Sequence, residues 1–306
     1  MKNKVKSALT YHADLGSEET LEVKTNEALQ QKVIFDAQGN ISEHIQYLAD
    51  GSIEDRVTNS YNADGKLAEE VLYDPDGEIA ERRTLEYAEN GKLLKEIKHY
   101  QDGAQDLITY SYNEAGHLLE KIFGDDSGWV EKREAFTFEG DKLTAVKEYD
   151  EEGKLLKESA FTYDADGNLE ESSESPTSDM GGRKVTIYNI SGLPEIIKYY
   201  SPSGNLIARH TYEYNENDLV TDIKEETQSG ISSSHTEYDE IGHAVVLEDR
   251  SANEELNHRI ERTYDEEGNL LTSHVFINGH GRNLNQHYLE RIEYTFFDQD
   301  TVAANT

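Results

Sequence analysis

The sequence predicts an all-β fold: a long antiparallel β-meander of tandem ~26-residue hairpin repeats, curled or spiralled. Three observations carry this. First, an aromatic residue followed by an acidic or amide residue, then Gly and an aliphatic residue, recurs at Phe35, Tyr61, Tyr87, Tyr112, Phe138, Tyr163, Tyr188, Tyr214, Tyr238 and Tyr264. A half-step copy sits inside many units, at Tyr47, Tyr73, Tyr100, Tyr149, Tyr200 and Phe276, usually 12 residues after the unit start. Second, side chains alternate with period two between these motifs. Third, the runs are about eight residues long and the turn clusters about four, which leaves no room for crossover helices, so neighbouring strands must be antiparallel.

In chain order, residues 1–34 read as a degenerate N-terminal cap with a first unit near Tyr11, residues 35–293 as the repeats, and residues 294–306 as a C-terminal cap or tail. The unit at Tyr61 is representative. Leu67, Val71, Tyr73, Ile79, Leu85 and Tyr87 fall on odd positions and Ala68, Glu70, Ala80, Arg82, Thr84 and Glu86 on even ones, which predicts a single apolar face. Turns such as DPDG (Asp74 to Gly77), DADG (Asp164 to Gly167) and DEEG (Asp265 to Gly268) place Asp first and Gly fourth. That order suits a type I turn closed by a left-handed Gly. The alternation of 12 and 14 residues predicts two turn types on opposite edges. Eleven units give about 22 strands, roughly 100 Å if laid flat. Twist and the need to bury the ring-bearing face favour a spiral or a sheet returning onto itself. Cross-strand stacking of Tyr and Phe is the expected repeated contact.

Composition bounds the function. The chain has 306 residues with 29 basic and 63 acidic side chains, a net charge of -34. That field repels phosphates, so nucleic acid and anionic membrane are not expected partners, whereas a protein with a basic surface is. The hydrophobic fraction is 35% and Tyr, with 19 copies, leads the aromatics, so the apolar layer should be thin and rich in rings. Without cysteine there is neither a disulfide framework nor a thiolate metal site. The opening MKNKVKSALTYHADLG has no apolar core of a signal peptide, which makes the cytoplasm the expected location, with non-classical export as the alternative.

The segments YDEEGNLL from Tyr264, YDEEGKLL from Tyr149, YDADGNLE from Tyr163 and YNEAGHLL from Tyr112 resemble the Tyr-Asp repeats of the RHS family over residues 35 to 294. The resemblance implies a β-sheet that spirals into a shell or an extended surface protein. This chain lacks the Arg that commonly follows the family's Gly.

No residue set with defined chemistry emerges. An EF-hand ending its acidic run at DPDG needs an oxygen ligand at Leu72 and a Glu at Arg83, and neither is there. The 11 His form no metal-ligand spacing, no phosphate loop or nucleophile elbow is present, and no cofactor is expected. Departures from the repeat mark the contact loops. They are the polar segment Glu170 to Lys184, read as a protruding loop with Ser175, Asp179 and Arg183; the insertion Gly279 to His287, with His280, Arg282 and His287; and FGDDSGWV, an irregular turn carrying Trp129. Trp129 itself reads as a core plug under a bulge, with a contact role as the alternative. The expected function is a non-enzymatic protein-binding or scaffold protein with an acidic surface. The alternatives are an immunity protein neutralising a basic toxin, for instance a nuclease, and a carbohydrate-binding or carbohydrate-active surface protein.

Overall fold

The computed structural model describes residues 4–15, 27–176, 182–279 and 285–297. The chain forms a 22-stranded sheet, with no helix among the described residues. The strands are β1 (Val5–Asp14), β2 (Ala28–Phe35), β3 (Ile41–Tyr47), β4 (Ile53–Tyr61), β5 (Leu67–Tyr73), β6 (Ile79–Tyr87), β7 (Leu93–Tyr100) and β8 (Gln105–Tyr112). They continue with β9 (Leu118–Asp125), β10 (Val130–Glu139), β11 (Lys142–Asp150), β12 (Leu155–Tyr163), β13 (Leu169–Pro176), β14 (Arg183–Tyr188) and β15 (Pro194–Tyr200). The last seven are β16 (Leu206–Tyr214), β17 (Val220–Thr227), β18 (Gly230–Tyr238), β19 (Ala244–Arg250), β20 (Leu256–Tyr264), β21 (Leu270–Ile277) and β22 (Gln286–Phe296).

Each strand pairs antiparallel with its predecessor, and β22 returns to β1, in register from Val5↔Phe296 to Asp14↔Tyr288. The array is therefore a closed up-and-down barrel, and closure leaves no free strand edge. Register also sets the tilt. Ile45 faces Arg56 and Arg56 faces Tyr73, whereas the residue of β5 equivalent to Ile45 is Val71. Crossing two strands thus advances two residues, which at ~3.3 Å per residue and ~4.8 Å per strand corresponds to a tilt of about 35°. A circular section with that tilt would be about 40 Å across.

The two edges share one prevailing turn type, the connections from β10 to β11 and from β17 to β18 being shorter. At Asp36 and at Leu48, on opposite rims, the first residue donates its N–H to the carbonyl of the fifth and accepts from the Gly in between. Gly39 and Gly51 both sit at positive φ, the conformation that favours glycine. The 12/14 alternation comes instead from strand length, since β3 and β5 have 7 residues and β4 and β6 have 9.

The single apolar face is also corrected. Val71 pairs with Arg82, so these two share a face, and Leu85 and Tyr87 lie on the other. Each turn is preceded by a register shift at its aromatic residue, and this shift moves odd positions from one face to the other. Both faces consequently carry apolar and charged side chains. They differ in enclosure. In β18, Ser232, Ser234, Thr236 and Tyr238 are half-buried while Ile231, Ser233, His235 and Glu237 are exposed. In β12, Lys157, Ser159, Phe161 and Tyr163 are half-buried while Leu156, Ala160 and Thr162 are exposed. Curvature crowds side chains on the concave side, so the face of Phe161 and Tyr163 points inward.

The core is thin. Among the described residues, Ala13, Leu15, Ile45, Val71, Val185 and Val275 are the buried apolar ones. The accessible surface of 19261 Å² compares with about 13,000 Å² for a compact protein of this mass, as expected of one layer wetted on two sides.

Stabilisation is concentrated at the rim where even-numbered strands end. There the phenol of most units donates to a carbonyl at the start of the preceding strand: Tyr61 to Ile41 at 2.7 Å, Tyr87 to Leu67 at 2.8 Å, Tyr112 to Leu93 at 2.8 Å and Tyr163 to Leu143 at 2.9 Å. Tyr214, Tyr238, Tyr264 and Tyr294 do the same with Pro194, Val220, Ala244 and Leu270. The residue after the turn glycine of the preceding unit then covers the ring. Lys66 lies 5.3 Å from the Tyr87 centroid, Lys92 4.9 Å from Tyr112, and His243 stacks on Tyr264 at 4.5 Å. At these units the expected ring-on-ring contact is replaced by a Lys or His over the ring, because the register sets the post-turn Lys66, Lys92, Lys142 or His243 against the next tyrosine. Tyr87→Phe keeps the ring and removes the hydrogen bond, so urea unfolding should show a loss of about 1 kcal/mol, leaving the Leu67 carbonyl to water.

These groups also set the pH limits. In the turns, the Asn168 backbone amide foremost holds the Asp164 carboxyl below its ordinary range, and the Asn269 side-chain amide does so for Asp265. A depressed folded pKa stabilises above the ordinary carboxylate value and is lost as pH falls through the folded value. Burial raises the phenols of Tyr87, Tyr112 and Tyr214, so their contribution is complete below about pH 10 and is lost above it. The thermal midpoint should therefore hold from about pH 5 to 9 and fall below about pH 4 and above about pH 10. A midpoint still unchanged at pH 11 would remove the phenols from the account.

Candidate functional site

The two rims differ in their connections. Even-numbered strands lead into turns of five residues or fewer throughout, whereas odd-numbered strands also lead into residues 15–27, 177–182 and 278–285, the three longest connections. The long insertions thus collect at one end, here called the loop rim, opposite the tyrosine rim. Variable connections at one end of a rigid barrel are where binding residues are carried.

Trp129 is on the loop rim, in the turn from β9 to β10. It is not a core plug: 54% of it is exposed. Nor is its turn irregular. Asp125 donates its N–H to the Trp129 carbonyl at 3.1 Å, and the Asp125 carboxylate accepts from the N–H groups of Ser127 and Trp129. Trp129 occupies the post-glycine position, where other turns hold Asn40, Ser52 or Lys66, and that position faces solvent. Gly124 lies against it, and a Cβ there would collide with the Trp129 carbonyl oxygen. Gly124→Ala should cost about 2 kcal/mol and shift the tryptophan emission, both read in one fluorescence melt.

Ser175 and Arg183 also reach the loop rim, but not as a protruding loop. Glu170 to Pro176 continue β13, and Arg183 opens β14, because backbone pairing from Glu171↔Ile187 to Glu174↔Lys184 overrides their polar composition. Ser175, Arg183, Tyr200 and Pro202 line a cleft of about 240 Å³, with the Arg183 guanidinium 4.9 Å from the Tyr200 ring centre. His287 lies at the start of β22, its Nε2 2.8 Å from Nε2 of His274. Asp179, His280 and Arg282 lie outside the described residues.

Two further clefts open on the inner face. One, of about 390 Å³, is lined by His210, Tyr212, Glu225, Ser232 and Asp249. Its Glu225 carboxylate lies 3.5 Å from His210 and accepts from the Ser232 hydroxyl at 3.4 Å. The serine thus donates to a carboxylate and not to an imidazole, which is not the contact that activates a nucleophile. The other, of about 330 Å³, joins Glu70, Arg83, Glu96, Lys98 and Phe123. Tyr110 donates to Glu96, and burial is the main cause that raises its phenol pKa.

One repeated feature was missed by sequence reasoning. On the outer face Arg56 pairs with Glu43 at 2.5 Å and lies over the Tyr73 ring at 5.0 Å, and Arg133 pairs with Glu120 at 3.2 Å and lies over Tyr149 at 4.6 Å. Arg82 pairs with Glu69 in the same place. The spacing of 26 between Arg56 and Arg82, and again between Arg183 and Arg209, was the available signal. This charged belt crosses the middle of the strands, where a barrel embedded in lipid carries an apolar band. Contact with hydrocarbon there would cost about 2–4 kcal/mol for each Arg at the midplane.

Among protein families, the chain matches the MORN repeat variant over residues 83–102, a stretch of one hairpin unit. No curated protein matches it. Among solved structures it is similar to a porin-like protein from Bacteroides uniformis, with 12% identity, a TM-score of 0.33, and coverage of 97% of this chain and 99% of that one. It is also similar to a chain of the Photorhabdus luminescens Tc holotoxin pore, with 13% identity, a TM-score of 0.23, and coverage of 83% of this chain. The match spans 19% of that Tc chain's length. The closed barrel stands on its own strand register and not on these likenesses.

Proposed function

We propose that this chain is a non-enzymatic scaffold of the Tyr-Asp repeat type that binds a protein with a basic surface. The observation that carries the reading is how the basic residues are spent. Arg56, Lys98, Arg133, Lys157 and Arg259 lie in ion pairs with Glu43, Glu81, Glu120, Glu174 and Glu248, and Lys66, Lys92 and Lys142 cover tyrosine rings. With 63 acids against 29 bases, the uncompensated charge is carboxylate, and it lies in turns fixed on a rigid ring. Such a field speeds and orients encounter with a basic protein. The recurring aromatic-x-x-x-Gly turn with its phenol-to-carbonyl bond supports placing the chain among Tyr-Asp repeat proteins. The test is affinity capture from extract of the source organism. At 50 mM salt the retained protein should be basic, with release complete by 500 mM. Retention of acidic proteins, or a partner indifferent to salt, overturns the reading.

A further inference from the structure

The loop rim is uneven around its circumference. Its five consecutive turns within residues 48–55, 73–79, 100–106, 125–131 and 149–156 hold fourteen carboxylates and one base, Lys154. The turns within residues 200–207 and 227–231 hold no charged residue. Successive turns on one rim are two strands apart, so with the strand tilt the acidic arc runs about 45 Å.

The same arc exposes apolar side chains. Leu48, Ile53, Ile79, Trp129 and Val130 are each between 37% and 54% exposed. Leu48 and Trp129 stand in turns, and Ile53, Ile79 and Val130 open their strands, where they face Tyr47, Tyr73 and Gly124 on the preceding strand. Large exposed apolar groups among carboxylates are not needed for solubility and oppose it. A tryptophan held on a regular turn has the character of an interface anchor.

We infer that this arc is the docking surface for a basic protein segment that brings apolar side chains of its own, with Trp129 as its aromatic anchor. The inference rests on the proposed function and locates it. Charge complementarity selects the occupant. A second copy of the chain would set fourteen carboxylates against fourteen, and an anionic bilayer would be repelled in the same way. A basic amphipathic segment satisfies both components, lysines or arginines meeting the turn carboxylates and apolar residues covering Ile79, Trp129 and Val130.

Trp129 is the only tryptophan, so its emission reports on the arc directly. The probes are two synthetic peptides without aromatic residues, one of lysine and leucine, the other of lysine and serine at the same length and charge. At 50 mM salt the lysine–leucine peptide should move Trp129 emission to shorter wavelength and bind at least about tenfold tighter than the lysine–serine peptide. Binding should weaken about tenfold when Glu54→Gln, Asp76→Asn and Glu78→Gln are combined, and by a similar factor in Ile79→Ser. Both variants leave the turn-capping Asp74 in place, and their thermal midpoints check folding. Equal binding of the two peptides, binding with Trp129 emission unmoved, or loss of neither affinity in the variants overturns the assignment. A blue shift on phosphatidylcholine vesicles, or on raising protein concentration alone, overturns it in favour of a membrane or a second copy. If the capture experiment retains a basic protein while Trp129 stays silent to it, the acidic scaffold stands and only this location fails.

Discussion

Removing residues 1–15 is expected to open the barrel, and removing residues 1–40 is expected to leave it closed. The two outcomes follow from strand direction. With 22 strands running alternately up and down, β1 bridges β2 and β22, in register from Ser7↔Ile34 to His12↔Ala28 on one side and from Ala8↔Tyr294 to Asp14↔Tyr288 on the other. Without β1 the two strands that must meet are both even-numbered and run parallel. They cannot reproduce the antiparallel ladder, and two long edges are left bare. Losing roughly ten ladder hydrogen bonds at about 0.5–1 kcal/mol net each should cost about 5 kcal/mol or more and promote edge-to-edge association. Removing β1 and β2 together brings β3 to β22 with the correct polarity, and an even barrel of 20 strands can close. Size-exclusion chromatography and hydrogen exchange of β22 amides distinguish the cases. Similar behaviour of the two truncations would mean that the sheet is an open array, and closure would be wrong.

Val275→Asp is the point substitution with the largest expected effect. Val275 is 4% exposed and stands in register between Ile260 and Tyr288 near the closing seam. Its two direct ladder partners, Ile260 and Tyr288, are uncharged, so burying a carboxylate there should cost about 3–5 kcal/mol. Val275→Ala, which only removes two methyl groups, should cost about 2 kcal/mol. Ile231→Asp is the contrasting case, since Ile231 is 48% exposed on the outer face, and its effect should stay within about 0.5 kcal/mol. Urea titrations of the three variants give the order. An Ile231→Asp loss equal to that of Val275→Asp would show that the two faces were assigned the wrong way round.

Much of the fold was legible because each repeat carries its own local instructions. The turn DADG specifies its conformation through the Asp164 carboxylate, which accepts from the backbone of Asp166 and Asn168, and through Gly167 at positive φ. Short polar-apolar runs between such turns admit only antiparallel strands. Less legible was what a register shift does to a pattern. Val71 and Leu85 share odd parity, yet the bulges between Leu72 and Tyr73 and its equivalents place them on opposite faces. The polarity of Glu170 to Pro176 suggested a loop, but a strand with a partner on each side needs only backbone groups to continue. Trp129 was misplaced for a related reason: a rare large aromatic is usually buried, and only the turn geometry puts this one outside.

The amino-acid pattern alone determined the repeat length, the strand number, the antiparallel order and the surplus of carboxylate, since each depends on contacts within one hairpin or on composition. Closure of β22 onto β1, the inward face, the separation of a tyrosine rim from a loop rim and the meeting of acids with exposed apolar groups along one arc were decided by the tertiary structure. These depend on stagger accumulated over the whole circumference and on pairing between residues nearly three hundred positions apart, and no local window of sequence contains that information.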